Sequence, residues 1–489
     1  MHAYVMLSLS LLFISQAAIF VFAYPGWGIN SGHDPINDFH MASVIQESSH
    51  FQLGQVGYVT IKSYTYYPLL HLLSTSVSKV AGIPLSSVAK YVPSILNAFL
   101  VPIALFYFNQ DFFGLKGRYR NIATLLFATN WYYTSFQSSF VRESFAFPFA
   151  LLALLMAARI LKYPSRKCSA LFFIFLVTVQ MSHHVSSYVL LAILAIITFS
   201  FRIFRKNNNL VVVLVLATII HFIYTSYVVF DFAIVQAAYA VEGLSTLFLG
   251  TTQLSVLKHH EYWRKMLAYS YYLIIGLFTL AGMMYLWRRK KRINWEVVSL
   301  ALFFVVSFYG AVLLRLSTPA HAWSWTYYMS LRWTIWASIG ISFVAVLGIK
   351  CFSKLSFVSS STVAIAMILV FSVLAAGKFS QYSPIVSDPE ITPDLTYPRY
   401  MASLWLKEEA THGSNLLVAA YSSDPEAFQA SRSMAPYAYL QEFFPEGRSF
   451  DVFKGYIPFI DEYFDNYRNE SGVQIIYSNG EVEIGYTAR

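Results

Sequence analysis

The sequence predicts a mostly α-helical, polytopic membrane protein, and three observations lead to that prediction. Of its 489 residues, 57% are hydrophobic and only 12% are charged, against roughly a quarter in soluble domains. Several apolar stretches exceed the roughly 18 residues that indicate a transmembrane helix. Lys and Arg cluster in the short loops between these stretches, as in cytoplasmic loops. The net charge of +9 therefore reports topology, and we expect no nucleic-acid partner.

Hydropathy predicts about 11 transmembrane helices. They are Val5–Phe22, Val88–Phe108, Asn121–Gln137, Ser144–Leu161, Ser169–Ser182, Ser186–Phe201, Leu210–Val229, Met266–Trp287, Val297–Leu314, Trp333–Lys350 and Phe357–Ala376. The basic loops all fall on one side. This predicts a multi-pass protein of the cell membrane with a cytoplasmic N-terminus and an extracytoplasmic C-terminus.

A large first external loop, residues 23–87, follows the first predicted span. Within it, "YYPLLHLLSTSVSKVAGIP" (Tyr66–Pro84) is apolar but contains His71 and Lys79. If this segment crossed the membrane, the basic loop at Lys116–Arg120 would lie outside the cell. We therefore interpret it as a juxtamembrane amphipathic helix on the outer surface.

The chain divides by composition into a transmembrane domain, residues 1–377, and an extracytoplasmic domain, residues 378–489. The second begins with a Pro- and Asp-rich linker and continues with a helical pattern and a buried-strand pattern. It ends with "VQIIYSNGEVEIGY" (Val473–Tyr486), in which Asn479-Gly480 predicts a type I′ hairpin turn. We expect a small α/β domain.

An acidic cluster opens the external loop, in "GHDPINDFH" at 32–40. Asp34 before Pro35 is typical of a helix start, with Asp as the N-cap and Pro at the first helical position. Asp38 would then lie one turn further on, and two carboxylates at that spacing repel. They favour a cation, a hydroxyl-bearing ligand or a shared proton. His33 and His40 flank the pair.

Two further external turns carry ionisable residues. Arg142-Glu143 lies at the mouth of two apolar helices, where a charged pair is costly unless it is partnered or functional. The alternative is a mutual or interhelical salt bridge. His183 and His184 are neighbours, so on a helix they cannot both face one ligand. A polar cap is the alternative for this pair.

Lys and Arg on the predicted outer side are unexpected, because these residues normally concentrate in cytoplasmic loops. Lys258 is best interpreted as an interfacial anchor. Arg264 and Arg332 are candidates for an anion site, because a guanidinium matches phosphate as a fork.

The motifs "DP" at Asp34-Pro35 and "YYPLLH" at Tyr66–His71, with an acid at Glu143, resemble those of the GT-C superfamily of membrane glycosyltransferases. The resemblance covers most of the chain as architecture and groups it with the protein mannosyltransferases, aminoarabinose transferases and oligosaccharyltransferases. It implies a GT-C-like bundle and an inverting transfer of a sugar from a polyprenyl-phosphate donor to an extracytoplasmic acceptor (a glycan, lipid or protein). The tail lacks a WWDYG-like motif, which disfavours protein N-glycosylation.

The hypothesis assigns a role to each candidate residue. The acceptor hydroxyl needs a base, for which Asp34 is the first choice and Asp38 the second, with Glu143 orienting the acceptor or an arginine. The donor phosphate is assigned to Arg142, Arg264, Arg332, His183 and His184. Substrate binding is assigned to His40, Tyr67 and His71. No cofactor is assigned; a divalent metal (Mg or Mn) at Asp34 and Glu143 is the less favoured option.

Two other classes stay open from the sequence. A lipid-linked glycan transporter or flippase would also carry external aromatic and basic residues, but would place ionisable groups near the bilayer midplane. A non-catalytic envelope assembly protein would use the tail to bind a partner. The acids cluster outside the membrane, which favours the glycosyltransferase.

Overall fold

The structure is a computed structural model. It describes residues 33–51, 65–128, 133, 140–205, 208–230, 233–234, 262–288, 294–317, 325–355, 405, 415–416, 455–459, 473–478 and 483–487. The first and last predicted spans, Val5–Phe22 and Phe357–Ala376, lie outside these residues, and so does most of the tail.

The described residues are mostly helical. The helices are α1 (His33–Ser48), α2 (Leu69–Ala81), α3 (Leu85–Asp111), α4 (Arg118–Ala128), α5 (Arg142–Lys162), α6 (Arg166–Ser182), α7 (His184–Arg205), α8 (Val211–Tyr227), α9 (Tyr262–Arg288), α10 (Trp295–Ser317) and α11 (Trp325–Leu355). Each predicted span from the second to the tenth overlaps one of α3 to α11, although α4 covers only the first half of the third span.

Four stretches of the described helices are long and apolar enough to cross a membrane. They are Leu85–Asp111, Arg142–Lys162, His184–Phe204 and Arg332–Cys351. Three shorter apolar stretches lie in α8, α9 and α10. The prediction of a helical membrane protein is confirmed, whereas the count of 11 spans stays a prediction.

Contacts divide the chain into two compact units. One contains 1–19, 94–137 and 143–379, and its core is aromatic. Trp336 of α11 is 1% exposed, and its ring lies edge-on to Phe147 of α5 with centroids 5.0 Å apart. Helices α9 and α11 approach closely, since a Cβ at Gly282 would overlap the carbonyl oxygen of Val344. Small residues permit this kind of packing between membrane helices.

The other unit contains 20–93, 138–142 and 380–489. Helix α2 has 13 residues, fewer than the roughly 20 that span a bilayer. It ends at Gly82, whose φ of 66° supplies the left-handed C-cap that glycine adopts readily. The predicted helix is therefore present, and its place on the outer membrane surface stays a prediction.

The described part of the tail contains a four-stranded sheet. The strands β1 (Asn415–Leu416), β2 (Gly455–Phe459), β3 (Val473–Ser478) and β4 (Glu483–Thr487) lie in the order β1-β2-β4-β3. Strands β3 and β4 pair antiparallel, as the hairpin pattern predicts. Their connecting residues, including Asn479-Gly480, lie outside the described residues.

Candidate functional site

Asp38 of α1 is the centre of a first group of charged side chains. Its carboxylate is fully buried. His71 Nε2 lies 2.8 Å from Oδ1, and Arg142 Nε lies 2.9 Å from the same oxygen. The Arg142 backbone N–H donates to Oδ2 over 3.1 Å. We call Asp38, His71 and Arg142 the Asp38 cluster.

Asp38 orients the ring of His71. An ionised carboxylate can only accept hydrogen bonds, so the Nε2–H of His71 is the donor to Oδ1. Among the described residues, Nδ1 is buried and has no hydrogen-bond partner. Ser74 Oγ, three residues further along α2, is buried and equally without a described partner.

Arg142 is held from two sides. Its Nε–H does not point at the carboxylate, so the 2.9 Å contact with Asp38 is an ion pair rather than a directed hydrogen bond. Its guanidinium carbon lies 5.9 Å from the centre of the buried Tyr67 ring, within the range of a cation–π contact. The predicted binding residues Tyr67 and His71 therefore lie together with Asp38.

Glu143, the second residue of α5, belongs to another group. Its Oε2 lies 2.7 Å from Nε of Arg332 in α11, and the two side chains are 4% and 12% exposed. Arg332 Nη1 lies 3.5 Å from Nε2 of His183. We call Glu143, Arg332 and His183 the Glu143 cluster.

His183 lies in extended conformation between α6 and α7, and its side chain caps α7. The backbone N–H of Ser186 donates to His183 Nδ1 over 3.3 Å, which satisfies one of the free N–H groups at the helix start. Ser186 Oγ lies 3.0 Å from the same nitrogen. These contacts fit the polar cap that the sequence offered as the alternative for this pair, and they leave Nε2 on the side of Arg332.

The Glu143 cluster has the chemistry of an anion site. Arg332 Nη1 and His183 Nε2 lie 3.5 Å apart, beside the Glu143 carboxylate. Guanidinium N–H groups make strong, charge-assisted hydrogen bonds to anionic oxygens. Three of the four described apolar stretches that could cross a membrane begin at Arg142, His184 and Arg332. The N-termini of α5 and α7 add a favourable dipole for an anion.

For several predicted site residues, the structure describes only the backbone. Asp34 and His40 lie in α1, and Arg264 lies in α9. Their side chains lie outside the described part, so their roles stay predictions. Helix α1 begins at His33, so Asp34 is its second residue rather than the expected N-cap, and it lies one turn before Asp38, as the spacing predicts. The ring of His184 is tilted against the ring of His183, with centroids 4.8 Å apart. It also lies edge-on to the ring of Tyr188.

Sequence reasoning missed two polar contacts next to these clusters. The side-chain amide of Asn97, fully buried in α3, donates to the carbonyl of Ser144 over 3.0 Å and so fixes the start of α5. His221 Nδ1 of α8 lies 2.8 Å from Gln180 Oε1 of α6. Each contact had a signal in the sequence, a single amide side chain (Asn97 or Gln180) within an apolar run. Such a residue predicts a polar contact, because a polar side chain inside a membrane helix needs a partner.

The described residues contain no group of three His, Cys, Asp or Glu side chains that could hold a metal ion. The side chain of Asp34, one of the two residues of the less favoured metal option, lies outside the described residues. That option therefore stays a prediction.

Comparisons with known proteins identify the fold. No family model matches the chain, and no curated protein matches it. Solved structures do match. ArnT from Cupriavidus metallidurans bound to undecaprenyl phosphate has a TM-score of 0.53 at 9% identity, and the match covers 97% of both chains.

Two other structures agree with that match. Oligosaccharyltransferase from Archaeoglobus fulgidus, tethered to an acceptor peptide, has a TM-score of 0.55 at 13% identity and covers 89% of this chain and 63% of its own. Arabinofuranosyltransferase AftD from Mycobacteria has a TM-score of 0.52 at 14% identity and covers 98% of this chain and 40% of its own. All three are GT-C glycosyltransferases, so this chain has a GT-C fold.

Proposed function

We propose that this chain is a membrane glycosyltransferase. It moves a sugar from a polyprenyl-phosphate-linked donor to a hydroxyl of an extracytoplasmic acceptor. The fold supports the class, since the matching structures are GT-C glycosyltransferases. The match to ArnT bound to undecaprenyl phosphate supports the carrier.

One observation carries the proposal: the buried Glu143 holds Arg332 at its Nε, with Arg332 Nη1 3.5 Å from His183 Nε2. In the transfer, the acceptor oxygen bonds to the anomeric carbon and the bond from that carbon to the phosphate oxygen breaks. Its electron pair stays on the phosphate. Charge therefore grows on the phosphate in the transition state, where placed donors stabilise it most. Attack opposite the leaving phosphate inverts the anomeric centre.

Glu143 acts through Arg332 in this scheme. Its 2.7 Å contact with Nε fixes the Arg332 guanidinium at that atom, and the Nη groups are the ones proposed to bind the phosphate. A guanidinium anchored at Nε loses little freedom when it binds an oxyanion, and pre-organised donors add most to catalysis. Glu143 is therefore a positioning residue for the arginine, one of the two roles that the sequence predicts for it.

The test is a matched pair of Arg to Lys variants. Arg159 sits near the other end of α5 and uses the same atom, since its Nε lies 3.1 Å from Asp111 Oδ2. Purified protein in lipid vesicles is given single-sugar polyprenyl-phosphate donors with an envelope extract as the acceptor source. The measurement is release of polyprenyl phosphate. Arg332→Lys should slow release about ten- to a hundred-fold, the value of about 1.5–3 kcal/mol for a charge-assisted contact. Arg159→Lys should remain near normal.

A binding measurement separates this proposal from the transporter alternative. Polyprenyl phosphate should stabilise the wild-type protein against heat and polyprenol, which lacks the phosphate, should not. Binding without release of polyprenyl phosphate from any donor would favour a transporter. Equal release by the Arg332→Lys and Arg159→Lys variants would remove the Glu143 cluster from the phosphate site.

A further inference from the structure

We propose that a cavity at the predicted cytoplasmic ends of the helices binds the head group of a membrane lipid that carries a primary ammonium, of the phosphatidylethanolamine type. The cavity has a volume of about 310 Å³, at the lower end of the roughly 300–1,000 Å³ of small-ligand pockets. Helices α3, α5, α7 and α10 contribute to its wall, and all its lining residues belong to one compact unit. The site goes beyond the proposed glycosyl transfer and does not depend on it.

The cavity lies at the depth of lipid head groups. The apolar stretches of α3, α5 and α7 that could cross a membrane end at Asp111, Lys162 and Phe204, and the first two of these residues line the cavity. Trp295, the first residue of α10, is 48% exposed and precedes the lining residue Glu296. Exposed tryptophans concentrate where the hydrocarbon of the bilayer meets its head groups.

The cavity is distant from the proposed phosphate site. Glu143 is the second residue of α5 and Lys162 is its last. The two are about 28 Å apart along the helix, at a rise of roughly 1.5 Å per residue. Lys162 also opens a basic loop of the kind that faces the cytoplasm. An occupant of this cavity therefore comes from the other leaflet and takes no part in the transfer step.

Glu296 gives the cavity wall a buried negative charge. The residue is 4% exposed and lies in the first turn of α10, where the helix dipole stabilises an ionised carboxylate. A buried carboxylate favours a cation that also donates hydrogen bonds. A primary ammonium has three N–H donors, whereas the quaternary ammonium of phosphatidylcholine has none.

Asp111, the other carboxylate in the wall, is neutralised within the protein. Its Oδ2 lies 3.1 Å from Nε of Arg159, which is on the same helix as Lys162. The charge of this pair is balanced before any ligand binds. Glu296 is therefore the carboxylate to which we assign the ammonium.

Lys162 places a positive charge in the same wall. It is exposed and lies in the last turn of α5, whereas Glu296 belongs to α10. A head group that contains both an ammonium and a phosphate can pair with both residues at once. An anionic head group without an ammonium would pair with Lys162 but would bring a like charge towards Glu296.

The remaining wall favours a lipid over a soluble amine. Phe112 and Phe201 line the cavity, with ring centroids 5.9 Å apart. Phe199 and Phe204, on the same helix as Phe201, are 60% and 48% exposed, so an apolar surface continues beside the cavity. Acyl chains attached to the head group can cover this surface.

The experiment counts the lipids that stay bound to the purified full-length chain in native mass spectrometry. The probes are dioleoyl-phosphatidylethanolamine, dioleoyl-phosphatidylcholine and dioleoyl-phosphatidylglycerol, which differ only in the head group. Phosphatidylethanolamine should bind most tightly. Glu296→Gln should weaken its binding about ten- to a hundredfold, as for hydrogen bonds to a charged group, and leave phosphatidylcholine unchanged. Lys162→Ala should weaken it about two- to fivefold, as for an exposed ion pair.

Matched controls change the same residue types outside the cavity. Lys167→Ala removes an exposed lysine from the same predicted cytoplasmic loop, and Glu47→Gln changes an exposed glutamate near the end of α1. Both should bind phosphatidylethanolamine like the wild-type protein. Should the buried change in Glu296→Gln unfold the chain, the comparison of Lys162→Ala with Lys167→Ala still decides whether the cavity binds the lipid.

Three results would overturn the proposal. Equal binding of the three lipids, or a preference for phosphatidylglycerol that only Lys162→Ala removes, would show that the cavity does not select an ammonium. Displacement of the lipid by an equal concentration of free phosphoethanolamine would show that the ligand is soluble. Unchanged binding of phosphatidylethanolamine in both Glu296→Gln and Lys162→Ala would place the lipid elsewhere on the protein.

Discussion

The Asp38 cluster and the Glu143 cluster use the same three residue types in different arrangements. Each contains a carboxylate, an arginine whose Nε lies within 2.9 Å of it, and a histidine. In the Asp38 cluster the histidine donates to the carboxylate. In the Glu143 cluster it faces the arginine. In the first arrangement the carboxylate contacts both the histidine and the arginine, whereas in the second the arginine contacts both the carboxylate and the histidine.

The difference shows that residue type does not decide the geometry of such a group. The partner of each ring nitrogen does. Nε2 of His71 is tied to Asp38, and Nδ1 of His183 is tied to the backbone N–H of Ser186. The Asp38 cluster is therefore organised around its carboxylate and the Glu143 cluster around its arginine.

The largest expected effect concerns the stability of the Asp38 cluster. Asp38→Asn leaves the Arg142 guanidinium buried without a carboxylate, and breaking a buried ion pair costs about 3–5 kcal/mol. Thermal unfolding in detergent should show this loss. Asp111→Asn is the control, since its partner Arg159 is 38% exposed and such a pair contributes about 0–1 kcal/mol. Equal losses in both variants would mean that burial does not distinguish the two ion pairs.

A smaller effect, on turnover rather than stability, is expected in the Glu143 cluster. Glu143→Ala frees the Arg332 guanidinium to turn away from the phosphate. Release of polyprenyl phosphate should slow by about tenfold, equivalent to about 1.4 kcal/mol. Glu143→Gln should lose less, because its amide oxygen can still accept from Nε. If Glu143→Ala instead loses as much stability as Asp38→Asn and its turnover stays normal, Glu143 has a structural role and does not position Arg332.

The next smaller effect separates the two functions of His183. Asparagine is a good N-cap, so His183→Asn should keep the cap of α7 and lose the Nε2 donor. The midpoint of thermal unfolding should change little. Affinity for polyprenyl phosphate should weaken about two- to tenfold, as for a contact of about 0.5–1.5 kcal/mol. A large loss of stability with unchanged affinity would assign His183 to structure alone.

No effect on activity is expected from the last test, which places the clusters relative to the membrane. Both should lie on the extracytoplasmic side. In a background without Cys168 and Cys351, a cysteine at exposed Ser76 of α2 should react with an impermeant maleimide in intact cells. A cysteine at Tyr163, which is 74% exposed after α5, should react only after lysis. The reverse pattern would invert the predicted topology.

The sequence predicts where the helices lie along the chain, but it does not predict which side chains pair between them. An apolar run of about 20 residues is a local signal, and α3, α5 and α10 begin and end within a few residues of the predicted spans. Helix α11 begins at Trp325, eight positions before the predicted Trp333, because "WTYYMSLR" is too polar for a hydropathy signal although it continues the helix.

Side-chain pairing could not be predicted, because it depends on residues far apart in the chain. Asp38 pairs with His71, 33 positions away, and with the backbone of Arg142, 104 positions away. The adjacent charges of Arg142 and Glu143 suggest a mutual pair, but each has a carboxylate or arginine partner from another helix. The residues themselves were visible as local signals, in the acidic spacing of α1, the "YYPLLH" motif, Arg142-Glu143, His183-His184 and Arg332, but their partners were not.

The bond from the Arg142 N–H to Asp38 Oδ2 also bears on how the chain assembles during synthesis. Asp38 serves α5 as an N-cap supplied by a different helix, and it leaves the ribosome 104 residues before the amide it binds. Asp38 is therefore synthesised before the N-terminus of α5 that it caps. Deleting α1 would therefore act on a distant helix as loss of its cap, with fraying that begins at Arg142.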